Sequence, residues 1–213
     1  MSPPEQAIDI RKPGDSQTAL SLRRSLLIGG IGFSVVSLAI FATVAFAERW
    51  MYSHLGVSGA YIVWTTLFML LGGRVFSLLV IEPNRMSRFH ALFGAAFFCY
   101  AVGWVGAYFI VRGAVGEWLG SLMGSALMAL VIAAGFRVLR SAVGLSVLLF
   151  LANSAGYFLG SMLNDTLRGR PGMLLWGAVY GLFLGAGLGA SLHIAQSRRA
   201  RSSIPETETS DVR

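Results

Sequence analysis

The sequence predicts an all-α polytopic membrane protein, a bundle of six transmembrane helices with glycine-zipper packing. Three observations carry this. Of 213 residues, 55% are hydrophobic and only 13% charged, with a mean hydropathy of +0.66, whereas a soluble domain carries charge on about a quarter of its residues. Six apolar stretches lie at about 26–47, 60–81, 89–111, 118–136, 142–163 and 173–195, free of Asp and Glu, and each is close to the ~20 residues that cross a bilayer as a helix. Glycine recurs at four-residue spacing in the later stretches. Lipid cannot hydrogen-bond an open backbone, so the stretches are read as helices rather than strands. The chain then divides into a cytoplasmic polar tail (1–25), a membrane domain (26–197) and a second polar tail (198–213), both tails too poor in apolar groups to pack.

The first stretch imitates an export signal, with Arg23-Arg24 before it and Ala45-Phe46-Ala47 at its end. Its apolar run is longer than the 7–15 residues typical of such a signal and five more follow. It is therefore read as a retained span.

In the second stretch, Arg74 follows Gly72-Gly73 some five to seven positions from the end. A long aliphatic stem lets such an arginine reach the headgroups. The other reading is an anion site with Arg85, Arg88 and His90, where guanidinium groups clamp a phosphate or carboxylate. In the third stretch Cys99 is the single cysteine; it excludes an intramolecular disulfide and suits a small buried hydrophobe.

The fourth and fifth stretches are joined without proline from Glu117 to Asn164. One helix of that length would run roughly 70 Å, over twice the hydrocarbon thickness. Arg137 to Ser141 must therefore form a tight hairpin at a membrane surface.

Glycine marks the packing faces: Gly116, Gly120 and Gly124 on the fourth stretch, Gly156 and Gly160 (after Ala152) on the fifth, Gly177, Gly181, Gly185 and Gly189 on the sixth. Residues four apart share a helix face, and a face without side chains lets backbones approach closely. A crossed core of spans four, five and six is the expectation, with a hinge, a narrow pore lining or a homodimer face as other uses.

Asn153 is the most isolated polar group inside a span, with Tyr157 one turn on. An amide in hydrocarbon must find a partner, so this side faces protein or a cavity. Helix-to-helix glue is its structural use, and binding a polar ligand its functional one. Trp50, Trp64, Trp104, Trp118 and Trp176, with Tyr52, Tyr61, Tyr108, Tyr157 and Tyr180, fall toward one side of the membrane. An interfacial belt explains one rim; an outward-opening aromatic cavity for a lipid or small apolar molecule is the alternative. Candidate ligand or cavity residues are thus Asn153, Tyr157, Tyr180, Trp176 and Arg74.

Basic residues set the orientation. Arg11, Lys12, Arg23, Arg24, Arg85, Arg88, Arg137, Arg140, Arg198, Arg199, Arg201 and Arg213 flank one side; Arg49, Arg112, Arg168 and Arg170 flank the other. The positive-inside rule places both termini in the cytoplasm. The net charge of +7 is then a topology signal and a contact for anionic headgroups, not a nucleic-acid footprint.

Catalysis finds no constellation. A Ser–His dyad of the rhomboid type fails because Ser121 lies toward the outer face and His90 and His193 toward the inner, beyond the ~3 Å reach required. Three scattered histidines and one cysteine make no metal set, and Glu48, Glu82, Glu117 and Asp165 sit at surfaces, leaving no buried acid to couple transport to protons. No sequence repeat relates the two halves. The expectation is a bacterial-type inner-membrane protein, not an enzyme and without cofactor. It would be an accessory subunit or lipid-interacting scaffold, with a membrane-protein partner or a second copy; the alternative is a facilitative carrier or channel for a small apolar or zwitterionic solute.

Overall fold

The computed structural model describes residues 20–80 and 86–202. Residues 1–19 and 203–213 of the two tails, and with them Arg11, Lys12 and Arg213, lie outside the described residues, as do Glu82 and Arg85; the inner ends of the tails are not loose as expected, since Leu22 to Ser25 and Arg198 to Ser202 continue the first and last helices. Five helices are long and apolar enough to cross a membrane. They are α1 (Leu22–Ser77), α2 (Met86–Val111), α3 (Gly113–Gly135), α4 (Ala142–Leu167) and α5 (Gly169–Ser202), with a short 3-10 turn at Leu139–Ser141 before α4.

Helix α1 has 56 residues, which straight would span about 84 Å. It does not run straight. Gly56 holds φ 67° and ψ 175°, outside the helical region, in a conformation open essentially to glycine alone. The arms 22–55 and 57–77 fold back antiparallel, the rings of Phe33 and Phe76 meeting at 5.5 Å. Trp64 Nε1 donates to Thr43 Oγ1 at 3.0 Å nearer the bend.

The helices run further than the apolar stretches and the links shrink. A single residue, Arg112, separates α2 from α3, and Arg168 alone separates α4 from α5. Both adopt the Gly56 conformation, at φ 56°, ψ 169° and φ 50°, ψ 159°, each followed by a positive-φ glycine, Gly113 or Gly169. Three turns at one end of the bundle therefore share one backbone device. The physical reason is that hydropathy marks where lipid ends, while backbone hydrogen bonding carries a helix on through polar residues such as Glu48-Arg49. The hairpin expected at Arg137 to Ser141 forms, with Arg137 at φ 58° and Arg198 Nη1 donating to Ser141 Oγ at 2.8 Å.

The helices close a ring: the first arm of α1 packs on α5, α5 on α4, α4 on α3, α3 on α2, and α2 on the second arm of α1. Phe33, Met128, Leu149 and Leu184 are fully buried inside it, and Phe33 reaches Phe97 of α2 at 6.5 Å. At one end, His193 Nδ1 donates to Leu20 O at 2.8 Å and Gln196 Nε2 to Leu79 O at 3.1 Å. Arg23, Arg24, Arg137, Arg140 and Arg198 share that end. At the other, the Arg170 guanidinium lies 4.8 Å over the Phe46 ring, with Glu48, Arg112, Glu117, Asp165 and Arg168.

The glycine faces do not converge on one another as expected. A Cβ on Gly181 would lie 2.7 Å from Phe33 O and from Ser34 Cα, and one on Gly177 2.5 Å from Phe41 Cβ. Added Cβ atoms on Gly185 and Gly189 would strike Gly29 O and Ser25 O. The α5 face thus lies against the first arm of α1. Gly116, Gly120 and Gly124 lie against Tyr108, Trp104 and Tyr100 of α2, where the Gly120 and Gly124 Cβ positions are 2.9 Å from carbonyl oxygens. Only Gly156 and Gly160 meet the anticipated neighbour, α5, at Tyr180 and Trp176. A smooth face fixes how close a neighbour comes and says nothing about which neighbour it is.

Candidate functional site

The centre of the ring holds a buried polar cluster drawn from four helices. Asn153, midway along α4, has no exposed surface. Tyr100 of α2 donates its hydroxyl hydrogen to Asn153 Oδ1 at 2.8 Å. With that hydrogen committed, the Tyr180 hydroxyl of α5, 2.9 Å away, is the donor to Tyr100. On the other side Asn153 Nδ2 donates to Ser121 Oγ of α3 at 2.8 Å, and Ser121 and Ser154 hydroxyls lie 2.7 Å apart. Five side chains are joined in sequence, and in a low-dielectric interior each bond polarises the next.

Helix geometry explains why these residues meet. The missing side chains at Gly124 and Gly156 let α2 approach α3 and α5 approach α4 at the depth of Tyr100 and Tyr180, whose backbone the added Cβ atoms would touch. The glycines and the tyrosines are two halves of one arrangement. The small residue brings the backbones together, and the long phenol then crosses the ring to the amide.

Tyr157 does not join Asn153. Its ring packs 5.6 Å from both Trp104 and Trp176, and Phe41 lies 5.7 Å beyond Trp176, so these aromatics form a tilted, edge-on cluster toward the Glu117 end. The Nε1 atoms of Trp104 and Trp176 are buried there without a hydrogen-bond partner. Arg74 stands apart from both groups. It is exposed in the last turn of α1, which ends at Ser77 rather than near 81, so the cation sits at the negative end of the helix dipole. His90 is beside it in sequence depth, its ring 3.1 Å from a Cβ placed on Gly73.

Of the five residues singled out from the sequence, the structure brings Asn153 and Tyr180 into one cluster, Trp176 and Tyr157 into a second, and leaves Arg74 at the end. Tyr100, Ser121 and Ser154 belong to the first cluster and carry no motif. Their signal is depth: a buried amide needs hydroxyls at its own level on neighbouring helices. Among the described residues no group of three or more His, Cys, Asp or Glu lies close enough to hold a metal ion.

The chain matches no protein-family model, no curated protein and no solved structure.

Proposed function

We propose that this chain is an integral protein of a bacterial-type inner membrane that acts as an accessory subunit or lipid-interacting scaffold, without a catalytic centre or cofactor. The bend at Gly56 gives α1 two crossings, hence six spans. The arginine-rich end then lies in the cytoplasm with both termini, and its partners are anionic headgroups and membrane proteins rather than nucleic acid. One observation carries the reading. Asn153, Tyr100, Tyr180, Ser121 and Ser154, the groups best suited to receive a polar solute, satisfy one another at 2.7–2.9 Å. A cluster closed on itself holds helices together; a solute pathway needs polar groups that await a partner.

The glycine-zipper faces serve the interior, since Gly177, Gly181, Gly185 and Gly189 are buried within the single chain. A partner or second copy would therefore use the outer apolar surface. Native mass spectrometry of protein released gently from membranes tests this. A stoichiometric protein partner or a retained lipid supports the scaffold; a monomer retaining a defined small solute overturns it.

The carrier reading rests on a separate observation, the two buried indole N–H groups of Trp104 and Trp176 without acceptors. A solute carbonyl or carboxylate oxygen would satisfy them beside Tyr157. Uptake of such a solute, lost in Trp176→Phe at normal expression, would establish it.

A further inference from the structure

At the arginine-rich end a cavity of about 560 Å³ opens between the α3–α4 hairpin and the last turns of α5. It is lined by three arginines, Arg137, Arg140 and Arg198, together with the apolar Ala134, Val138 and Leu139. Arg198 is held in place by its bond to Ser141 Oγ, and Ser141 is itself buried. Arg137 is presented from a left-handed backbone position, φ 58°. The described carboxylates, Glu48, Glu117 and Asp165, all belong to the opposite end, so none of them neutralises this cluster.

We infer that this cavity binds the phosphoryl headgroup of an anionic phospholipid. Three planar forks around one concave site suit phosphate oxygens, which guanidinium groups engage in pairs. The occupant is a lipid rather than free phosphate because of what adjoins the cavity. Leu139, in the 3-10 turn at the cavity, and Val143, Val147 and Leu151 of α4 are exposed, the last three at four-residue spacing, which places them on one side of the helix. That apolar track begins at the cavity wall and runs toward the middle of the membrane, where an acyl chain attached to the seated headgroup would lie. Basic pockets between transmembrane helices on the cytoplasmic side are suited to such headgroups. The site rests on the membrane reading and is independent of any protein partner: a monomer that retains a small solute overturns the scaffold role, yet it upholds this site if it still prefers the anionic lipid.

The test uses the full chain in detergent, titrated with dioleoylphosphatidylglycerol or dioleoylphosphatidylcholine and scored for bound lipid by native mass spectrometry. One phosphatidylglycerol should bind about tenfold more tightly than phosphatidylcholine, and the preference should fall about tenfold in Arg137→Gln/Arg140→Gln. That variant keeps the Arg198–Ser141 bond, and its thermal unfolding should match the wild type. Arg112→Gln/Arg170→Gln, at the other end, should keep the preference. Equal binding of the two lipids overturns the site, as does unchanged preference in Arg137→Gln/Arg140→Gln. Displacement of phosphatidylglycerol by millimolar inorganic phosphate overturns the choice of a lipid.

Discussion

The Tyr100 hydroxyl donates to Asn153 Oδ1 at 2.8 Å between residues 53 positions apart, and this bond ties α2 to α4 across the ring although α3 lies between them in sequence. Removing the amide leaves Tyr100 without its acceptor and Ser121 without its donor. Asn153→Leu should destabilise the protein by about 1–2 kcal/mol, the upper range for polar contacts between membrane helices. A double-mutant cycle with Tyr100→Phe, read by unfolding in detergent, should give a coupling of about 0.6 kcal/mol or more. Additive effects would show that the bond contributes nothing.

Close backbone approach makes a sharper contrast. A Cβ at Gly185 strikes the backbone of Gly29, whereas one at Gly144 or Gly94 meets nothing within 4 Å. Gly185→Ile should abolish folding of the monomer itself, not merely change its oligomer size on gel filtration. Gly144→Ala should be neutral or stabilising by up to about 1 kcal/mol, because alanine restricts the unfolded chain.

The shared turn conformation predicts opposite signs at equivalent places. Gly56→Ala puts a side chain where only glycine is comfortable and should cost about 1–3 kcal/mol. Arg112 and Arg168 already carry that strain, at φ 56° and φ 50°. Arg112→Gly and Arg168→Gly should each raise stability by about 1 kcal/mol, measured as the shift in thermal unfolding of the detergent-solubilised chain. A loss of stability in both would show that the side chains hold the turns by other contacts.

How far the sequence could be read follows from these same residues. Composition and run length were enough for apolar helices, and the ~70 Å argument was enough for the hairpin at Arg137 to Ser141, because lipid thickness limits both. The helix ends were not legible: nothing in the hydropathy of Glu48 to His54 says that the backbone stays helical up to Gly56. Asn153 was legible as a polar group needing a partner. Its partners were not, because Tyr100 and Ser121 are ordinary residues until the turn positions fix their depth. With turns at Arg112 and Arg168, reflection of Tyr100 falls on Gly124 and reflection of Tyr180 on Gly156, the glycines their backbones approach. The hairpin at Arg137 likewise sets Ser121 opposite Asn153, so the three turns together bring the cluster to one depth.

Orientation has its own test, in a Cys99→Ser background that removes the single native thiol. Ser53→Cys, near the Gly56 bend, should react with a membrane-impermeant maleimide added to intact cells. Ser202→Cys, at the end of α5, should react only after the membrane is opened. The reverse pattern would place the termini outside, against the distribution of arginines.

Trp104 and Trp176 separate the scaffold from the carrier. In a dry bundle an indole N–H without an acceptor is a cost already present in the folded state, and taking it away relieves that cost. Phenylalanine also gives up some of the ring area that packs against Tyr157 and Phe41, which offsets the gain. Trp104→Phe and Trp176→Phe should therefore each leave stability within about 1 kcal/mol of the wild type. If the N–H groups instead receive a solute oxygen, the same changes lower the affinity for that solute by roughly tenfold per bond, while the empty protein's unfolding again stays within about 1 kcal/mol of the wild type. Unfolding curves recorded with and without candidate solutes decide between the two. A stabilisation by solute that vanishes in Trp176→Phe makes the aromatic cluster a binding site, and its absence in the wild type leaves the cluster as packing alone.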